Sequence, residues 1–387
     1  MLNIFCLGAV SEDYRTRNTL RFFLEKEDYR VFYNDFDKPV SYEESSRPVS
    51  IKRKLLKIFS VIPNFFYMLW ADIIYVFAMQ HGSFPIQIAF LFKKKLVVDF
   101  FLSFYDTEIN DYKHFTPGSK KAKRIKKIDR NAIINSRMIF FLNQSEAEYY
   151  TRVLDVDSNA ITCRILPLCI DEKPQAKIGY FMGNRDCLNL CWCGSYVPLQ
   201  GLDVILTAVS MLKGKIKLHL YVWGASDKRG ESYKKMVEGL QIQDIVTIHN
   251  EWGNRKKWEE FIVDNCDISL GIFGQSMKAK TVLANKVLDG IAFRTPVITA
   301  HSAGLHEYFN GIDDIFITEN TPIALAEMIE YVGSFYGGYS GIKERIDNAF
   351  KIYRDNFTPH IFQKKLLSYL TTLSGSRREI YEKDLSP

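Results

Sequence analysis

The chain has 387 residues, of which 47% are hydrophobic and 25% charged, so it is long enough for two globular domains and lacks the composition of a disordered protein. Its net charge of +6 is modest for a nucleic-acid-binding protein. The seven cysteines are scattered rather than framed, which argues against a disulfide scaffold and favours a reducing, cytoplasmic compartment.

The first half of the chain alternates between short apolar runs and helix-like segments. This alternation is typical of buried parallel strands joined by crossover helices. The helix after the fifth run is expected to begin at Ser145, with Glu148 three positions on as in a capping box. Apolar residues at helical spacing predict a basic amphipathic helix at 51–62. The runs predicted to be strands are 2–8, 29–35, 73–78, 94–100 and 137–143, and the apolar run 163–170 ends the first half.

A second alternating series follows a polar, turn-rich stretch at 171–187, which is the expected linker. We therefore predict a first domain at 1–170 and a second at 188–340. Residues 341–387 are expected to form helices with a break at Thr358-Pro359 and a tail. Because alternating strands and helices form parallel sheets, the predicted fold is α/β, with two doubly wound Rossmann-like domains facing across a cleft.

No membrane-spanning segment is predicted. The most apolar window, 58–79, is interrupted by Pro63, Asn64 and Asp72, so it is interpreted as a buried helix followed by a strand. The start of the chain leads directly into a strand without a basic segment, so no secretory signal is expected. A protein located in the cytoplasm, soluble or peripheral on the inner face of the cytoplasmic membrane, fits this pattern.

Two basic clusters lie in the first domain. One contains Lys52, Arg53, Lys54 and Lys57, and the other runs from Lys120 to Arg130. Such clusters attract anionic surfaces, so we expect contact with anionic lipid, although a solvated helix face is the simpler alternative. Nucleic acid is not favoured as a partner, because the second run lacks the interleaved aromatic residues of a single-strand binder.

The sequence predicts no metal site. Cys191 and Cys193 are separated by one residue, which is not zinc-ligand spacing, and no second ligand pair lies near them. The seven histidines are scattered singly. No metal and no cofactor are therefore expected.

The most informative stretch runs from Asp267 to Glu307. It contains an apolar strand, a loop rich in Gly and Phe with two lysines, a helix, a second strand, and a loop that ends in an acid. A unit of this kind holds a phosphorylated ligand at the carboxyl ends of parallel strands.

Three parts of the chain together resemble family 4 glycosyltransferases. Segment 193–208, CGSYVPLQGLDVILTA, is similar to the family's first phosphate loop and the helix after it. Segment 267–307 is similar to its donor-nucleotide segment, and 4–24 together with 96–112 to its acceptor side. The resemblance implies the GT-B architecture, with C-terminal helices packing back toward the first domain. It also implies a retaining, metal-free transfer from a nucleotide sugar.

The chain departs from the family pattern at four places. Ser195 stands where many members have an arginine, and Gln200 where they have a lysine, so two cations are missing. Thr281 stands where they have the first of two glutamates. No histidine follows the strand at 94–100. Asp289 keeps the acidic function of the second glutamate. The cations available to replace the missing ones are Lys278, Lys280 and Lys286.

The resemblance assigns roles in a donor site. Backbone N–H groups around Gly194-Ser195 and Phe273-Gly274 would face the diphosphate, beside Gln200. Positive charge would come from Lys278 and Lys286. The ribose hydroxyls would be held by Asp289 or Glu307, and the loop from Asn250 to Trp252 would support the base.

Candidate catalytic residues are Lys278 and two acids of the first domain, Asp99 and Asp106. Gly8, Arg17 and Asn18 are expected on the acceptor side. Each assignment has a simpler alternative: a solvated lysine, a loop acid, a helix cap for Glu307, or a tight turn for Gly8.

The functional hypothesis is a glycosyltransferase that moves a sugar from a nucleotide sugar to a saccharide acceptor. A lipid-linked intermediate of surface polysaccharide or glycoconjugate synthesis is the expected acceptor. Two alternatives stay open: a nucleotide-sugar epimerase on the same fold, and a non-catalytic nucleotide-sugar-binding scaffold, to which the absent acid at Thr281 points.

Overall fold

The computed structural model describes residues 1–8, 13–33, 61–82, 84–176, 187–224, 228–251, 253–335 and 339–373. Within these ranges the chain forms two six-stranded sheets, and every strand pairs in parallel with its neighbours. Helices connect consecutive strands. Two Rossmann-like domains therefore face each other, as the alternating pattern predicts.

The first domain carries the sheet with the order β2-β1-β3-β4-β5-β6. Its strands are β1 (Leu2–Leu7), β2 (Tyr29–Tyr33), β3 (Ile73–Val76), β4 (Leu96–Asp99), β5 (Met138–Phe141) and β6 (Cys163–Ile165). Its helices are α1 (Tyr14–Glu25), α2 (Val61–Trp70), α3 (Phe84–Ala89), α4 (Lys120–Ile134) and α5 (Gln144–Val153). Short 3-10 turns at Phe90–Lys95 and Ser158–Ala160 and a π-helical turn at Asp106–Asp111 complete it.

The second domain carries the sheet with the order β12-β11-β10-β7-β8-β9. Its strands are β7 (Leu188–Gly194), β8 (Leu218–Gly224), β9 (Val246–His249), β10 (Ile268–Leu270), β11 (Val297–Ala300) and β12 (Phe316–Thr318). Its helices are α6 (Leu202–Leu212), preceded by a 3-10 turn at Pro198–Gln200, then α7 (Lys228–Gly239), α8 (Arg255–Asn265), α9 (Asn285–Ala292), α10 (Ala303–His306) and α11 (Pro322–Ser334).

Two helices end the described chain, α12 (Tyr339–Asn356) and α13 (Pro359–Leu373). Phe357 and Thr358 separate them and Pro359 begins α13, so the chain breaks at the predicted Thr358-Pro359. Buried residues of α13, including Phe362 and Leu366, share a core cluster with Ile4 and Phe23 of the first domain. The C-terminal helix thus packs back onto the first domain, with each fully buried side chain contributing about 1.5–3 kcal/mol.

The order of strands places a ligand site. In the second sheet β7 and β10 are neighbours, and the order in which the chain adds strands reverses between them. Strands β8 and β9 lie on one side of this point, and β11 and β12 on the other. The loops after these two strands diverge to opposite faces and leave a crevice at their carboxyl ends. Gly194 ends β7 at this crevice, and the loop that begins at Gly271 follows β10.

Three local predictions need correction or fall outside the described residues. The N-cap of α5 is Asn143, whose side chain accepts from the Glu146 N–H, and not Ser145. Helix α2 is not buried, because Ile62, Phe66 and Leu69 are 49–63% exposed. The basic cluster from Lys52 to Lys57 lies outside the described residues. None of the described helices has both the length and the apolar character needed to cross a membrane.

Candidate functional site

A cavity of about 610 Å³ lies between the two domains at the crevice of the second sheet. The first domain contributes a largely apolar wall that includes Phe101, Leu102 and Leu142. The second domain contributes the end of β7, the loop after β10 and the start of α9. Six of the residues predicted from sequence line this cavity: Gly194, Ser195, Gln200, Lys278, Lys286 and Asp289.

Lys286 is a lysine of this cavity whose side-chain nitrogen is deeply buried. Its ammonium lies 3.7 Å from the centroid of the Trp192 ring and finds no hydrogen-bond partner among the described residues. Burial lowers its pKa well below the ordinary value, against the opposing influence of Cys193 and Asp289. A buried lysine side chain without a hydrogen-bond partner is an unsatisfied donor, and an anionic ligand would satisfy it.

Gly194 allows the ammonium to approach the backbone. A Cβ at this position would lie 2.9 Å from Lys286 Nζ, and the residue has a φ of +156°. Nearby, Gln200 Oε1 is buried and has no partner among the described residues. The cavity therefore contains two polar atoms close together, Lys286 Nζ and Gln200 Oε1, that have no hydrogen-bond partner among the described residues.

The first turn of α9 adds backbone donors. No side chain caps this helix at Ala284, and Ala284, Asn285 and Lys286 all line the cavity. The first N–H groups of an α-helix have no partner inside the helix, and the helix dipole favours an anion there. The start of α9 and Lys286 together form an anion-binding surface.

Asp289, one turn further along α9, connects the domains. Its Oδ1 accepts a 2.6 Å hydrogen bond from the Tyr14 hydroxyl of α1, and Lys173 Nζ lies 3.9 Å away. Burial raises the pKa of this carboxyl to about 6, although Lys173 and Arg255 oppose the shift. Asp289 thus borders the cavity with one oxygen held from the first domain.

Arg255 closes the same side of the cavity. Its guanidinium lies 3.7 Å from the centroid of the Tyr14 ring, and its Nε donates to Glu259 at 2.7 Å. Nη2 is buried without a partner among the described residues. Asn250, where a base support was predicted, accepts from the Tyr196 hydroxyl at 3.2 Å, and Trp252 lies outside the described residues.

Lys278 reaches across the cleft. It is 5% exposed, and its Nζ donates to Thr107 Oγ1 of the first domain at 2.6 Å. Burial lowers its pKa, while the nearby carboxylates of Asp106, Asp111 and Glu146 oppose that shift. Asp106 does not line the cavity, and its Oδ1 accepts from Tyr149 at 2.6 Å and Asn110 at 2.8 Å. Its contacts favour a supporting role toward Lys278, and a catalytic role remains a prediction.

Asp99 forms a buried ion pair. Both of its oxygens accept from Arg15, at 2.7 and 3.0 Å, and the Tyr75 hydroxyl donates to it at 3.0 Å. Both members of the pair are at most 2% exposed. These contacts commit the carboxylate to the core of the first domain, so they favour a structural role over the predicted catalytic one.

The expectation for Phe273 and Gly274 needs correction. Their backbone N–H groups donate to Gln200 O and Leu199 O, each at 3.1 Å, and are not offered to the cavity. A Cβ on Gly274 would lie 2.4 Å from Leu199 O. The glycine allows two loops to touch, which positions Gln200.

Glu307 does not line the cavity. Its carboxylate accepts from the N–H groups of Gln144 and Ser145, at 2.9 and 2.6 Å, and from the Ser145 hydroxyl at 2.5 Å. It therefore caps α5 of the first domain, rather than the helix that follows it in sequence. The simpler alternative for Glu307 was a helix cap. Glu307 does cap a helix, but that helix is α5 and not the one expected from the sequence.

The acceptor-side residues are placed separately. Arg17 pairs with Asp171, and Asn18 donates to the same carboxylate at 3.0 Å, so both hold the start of the linker. A Cβ at Gly8 would lie 2.4 Å from the Gln80 side chain, and φ is +121°. These three residues do not line the cavity, and residues 9–12 lie outside the described part of the chain.

Thr281 does not replace the missing acid. Its hydroxyl donates to Met277 O at 2.8 Å, and its carbonyl accepts from Gly304 at 2.9 Å. Among the described residues, no group of three His, Cys, Asp or Glu side chains is placed to hold a metal ion.

Sequence reasoning missed Tyr14, Glu146 and Arg255, which all line the cavity. Arg255 follows the loop in which a base support was predicted, so extending that loop by three residues includes it. Tyr14 and Glu146 come from helix starts in the first domain and carry no motif that marks them.

Comparison with known proteins agrees with this geometry. Residues 188–333 match the model of the family "Glycosyl transferases group 1". The match covers most of the second domain. Its matched region contains every cavity residue that was predicted from the sequence. A comparison with curated proteins gives no significant match.

Solved glycosyltransferases share the whole fold. A glycosyltransferase from Rickettsia africae superposes with a TM-score of 0.69 at 14% identity, over 97% of this chain and 99% of that one. Sucrose-phosphate synthase from Thermosynechococcus elongatus gives 0.70 at 13%, over 97% and 100%. HepE from Anabaena, in complex with UDP-glucose, gives 0.66 at 11%, over 96% and 100%. The two-domain arrangement is thus that of GT-B glycosyltransferases.

Proposed function

We propose that this protein transfers a sugar from a nucleotide-sugar donor to a saccharide acceptor. The observation that carries the proposal is the unpaired, buried ammonium of Lys286 beside the uncapped start of α9. Together with the group 1 glycosyltransferase match in which it lies, this arrangement supports diphosphate binding. HepE, which has the same fold, binds UDP-glucose, and this supports a nucleotide sugar as the donor here.

The chemistry follows from where charge develops. As the bond between the sugar and the diphosphate breaks, negative charge grows on the leaving phosphate oxygens. Lys286 and the first N–H groups of α9 would stabilise that charge without a metal ion. Asp289 and Arg255, on the same side of the cavity, would hold the nucleoside, with the Asp289 carboxylate accepting from ribose hydroxyls.

Retention of configuration is part of the proposal. The resemblance to family 4 members supports it, since the leaving phosphate can accept the proton of the acceptor hydroxyl on the same face. Nuclear magnetic resonance of the product, recorded before the sugar equilibrates, reports the anomeric configuration. A product of inverted configuration would contradict this part.

The proposed acceptor is a lipid-linked saccharide at the inner face of the cytoplasmic membrane. Helix α4 of the first domain supports this, because Lys120, Lys121, Lys123, Arg124, Lys127 and Arg130 are exposed along it. Lys126 of the same helix is instead paired with Asp155, at 2.7 Å. Binding to vesicles with and without anionic lipid tests this surface.

The donor proposal is tested with a panel of nucleotide sugars and nucleoside diphosphates. A bound donor raises the melting temperature, and transfer or slow hydrolysis releases the diphosphate. Lys286→Met should lower affinity for the diphosphate about 10- to 100-fold, as expected for loss of a charge-assisted hydrogen bond. Lys280→Met is the matched control, because Lys280 is an exposed lysine of the neighbouring loop.

Two outcomes would contradict the proposal. If no member of the panel stabilises the protein or is turned over, the glycosyltransferase assignment fails. If the donor is converted to a different sugar nucleotide without any acceptor, the epimerase alternative is correct instead.

A further inference from the structure

The wall of the cavity formed by the first domain contains two carboxylic acids, Asp13 and Glu146. Asp13 is the N-cap of α1, and its Oδ1 accepts from the Thr16 N–H at 2.9 Å. Glu146 lies in the first turn of α5 and is 1% exposed. Its Oε2 accepts a 3.1 Å hydrogen bond from Asn143 Nδ2. Burying a carboxylic acid costs free energy, so an acid this deeply buried at the edge of a cavity is a candidate for a functional role.

Glu146 stands opposite the anion-binding surface. Lys286 and the start of α9 lie on the side of the second domain, and Glu146 projects from the first domain into the same cavity. A sugar attached to a diphosphate bound at α9 would occupy the remaining space of this cavity. The sugar would then meet the wall on which Glu146 lies.

Thr281, which stands where family 4 members have an acid, lies near Glu146. A Cβ on Gly304 would lie 2.6 Å from Thr281 O and 2.7 Å from Asn143 Nδ2. Asn143 in turn donates to Glu146. Gly304 therefore brings the backbone at Thr281 next to the start of α5, and the nearby acid comes from the facing domain.

We propose that Glu146 contacts the hydroxyl groups of the transferred sugar, an assignment that rests on the proposed function. The carboxyl group of the first domain thereby performs the sugar recognition that Thr281 of the second domain does not. The contact requires both domains, because Lys286 belongs to the second domain and Glu146 to the first, and both line the same cavity.

The electrostatic environment agrees with this role. Burial raises the pKa of Glu146 to about 8, with Lys278 and Arg15 opposing the shift and Glu307 and Asp106 adding to it. At neutral pH the group is a protonated acid, which both donates and accepts hydrogen bonds. A neutral acid also avoids repulsion of the donor diphosphate, which a second carboxylate near the phosphates would cause.

The test compares two ligands that differ only by the sugar. The probes are the nucleotide sugar that best stabilises the wild-type protein among UDP-glucose, UDP-N-acetylglucosamine and GDP-mannose, and its own nucleoside diphosphate. Glu146→Leu, which cannot hydrogen-bond, should weaken binding of the nucleotide sugar about tenfold and leave binding of the diphosphate unchanged, since one sugar hydrogen bond loses its partner. Glu146→Gln keeps a donor and an acceptor, as the protonated acid does, and should bind both ligands nearly as the wild type does. Glu148→Leu, at an exposed residue of the same helix, is the matched control.

The possible results separate the two hypotheses. Equal weakening of both ligands by Glu146→Leu, or no weakening of either, would overturn the sugar contact while leaving the donor proposal intact. If no probe binds the wild-type protein, both proposals fail together. Melting of the unliganded variant shows whether it is folded, and the unchanged diphosphate affinity provides a second check of the native site.

Discussion

The carboxylate of Glu307, in the second domain, caps the first turn of α5 in the first domain, with Oε1 2.6 Å from the Ser145 nitrogen. The same oxygen accepts from the Ser145 hydroxyl at 2.5 Å, and Oε2 accepts from the Gln144 nitrogen at 2.9 Å. Because α5 also carries Glu146 into the cavity, this contact connects the interface between the domains to the site. The second domain therefore helps to hold the start of α5, and with it Glu146, in place.

Loss of this contact should be measurable. Glu307→Ala is expected to lower the free energy of unfolding by about 1 kcal/mol, the usual contribution of a helix cap. Glu330→Ala, an exposed acid on α11, should change it far less. Urea titration measures both variants, and hydrogen exchange should show faster opening at the start of α5. Unchanged exchange there would mean that Asn143 alone holds the helix.

Asp99 should prove essential for stability. Asp99→Asn leaves Arg15 buried without its charge partner, which typically costs about 3–5 kcal/mol. The control is Asp155→Asn, which removes an ion pair whose carboxylate is 76% exposed and should cost no more than about 1 kcal/mol. Chemical denaturation gives both values. A fully stable Asp99→Asn protein without transferase activity would instead restore the predicted catalytic role.

Binding of a diphosphate should be accompanied by proton uptake at Lys286. Burial lowers the pKa of this amine in the free protein, and a bound anion would raise it again. The affinity for the diphosphate should therefore fall as the pH rises above the pKa of Lys286 in the unliganded protein. Calorimetry in buffers of different ionisation enthalpy, at about pH 8 where phosphates are already ionised, counts the protons. Lys286→Met should abolish the uptake, and equal uptake by that variant would contradict it.

Glu146 should make stability depend on pH. Its pKa is about 8 in the folded protein against 4.5 for the free side chain, so the folded state keeps a proton that the unfolded chain releases. Stability contributed by this group is present below pH 4.5 and is lost as the pH rises toward 8. Glu146→Gln should flatten the curve by up to about 1.4 kcal/mol per pH unit. Denaturation across this range measures it, with Glu148→Gln expected to follow the wild type.

The amino-acid sequence by itself determined the architecture. Apolar runs such as LNIFCL and LNLCWCG must be buried on both faces, and helical segments between them permit only parallel pairing. The resemblance to family 4 glycosyltransferases identified Gly194, Lys286 and Asp289, because the segments that carry it are the strand ends and helix starts of one domain. These residues indeed line one cavity.

Only the tertiary structure decided which groups cross between the domains. Tyr14 and Asp289 are 275 positions apart, and Ser145 and Glu307 are 162 apart, so no local pattern relates them. Burial likewise decided that Asp99 pairs with Arg15 and that Glu146 keeps its proton, since both depend on how much water the folded chain excludes. Local periodicity specifies elements, whereas hydrogen bonds and solvation across the cleft exist only once both domains are folded and in contact.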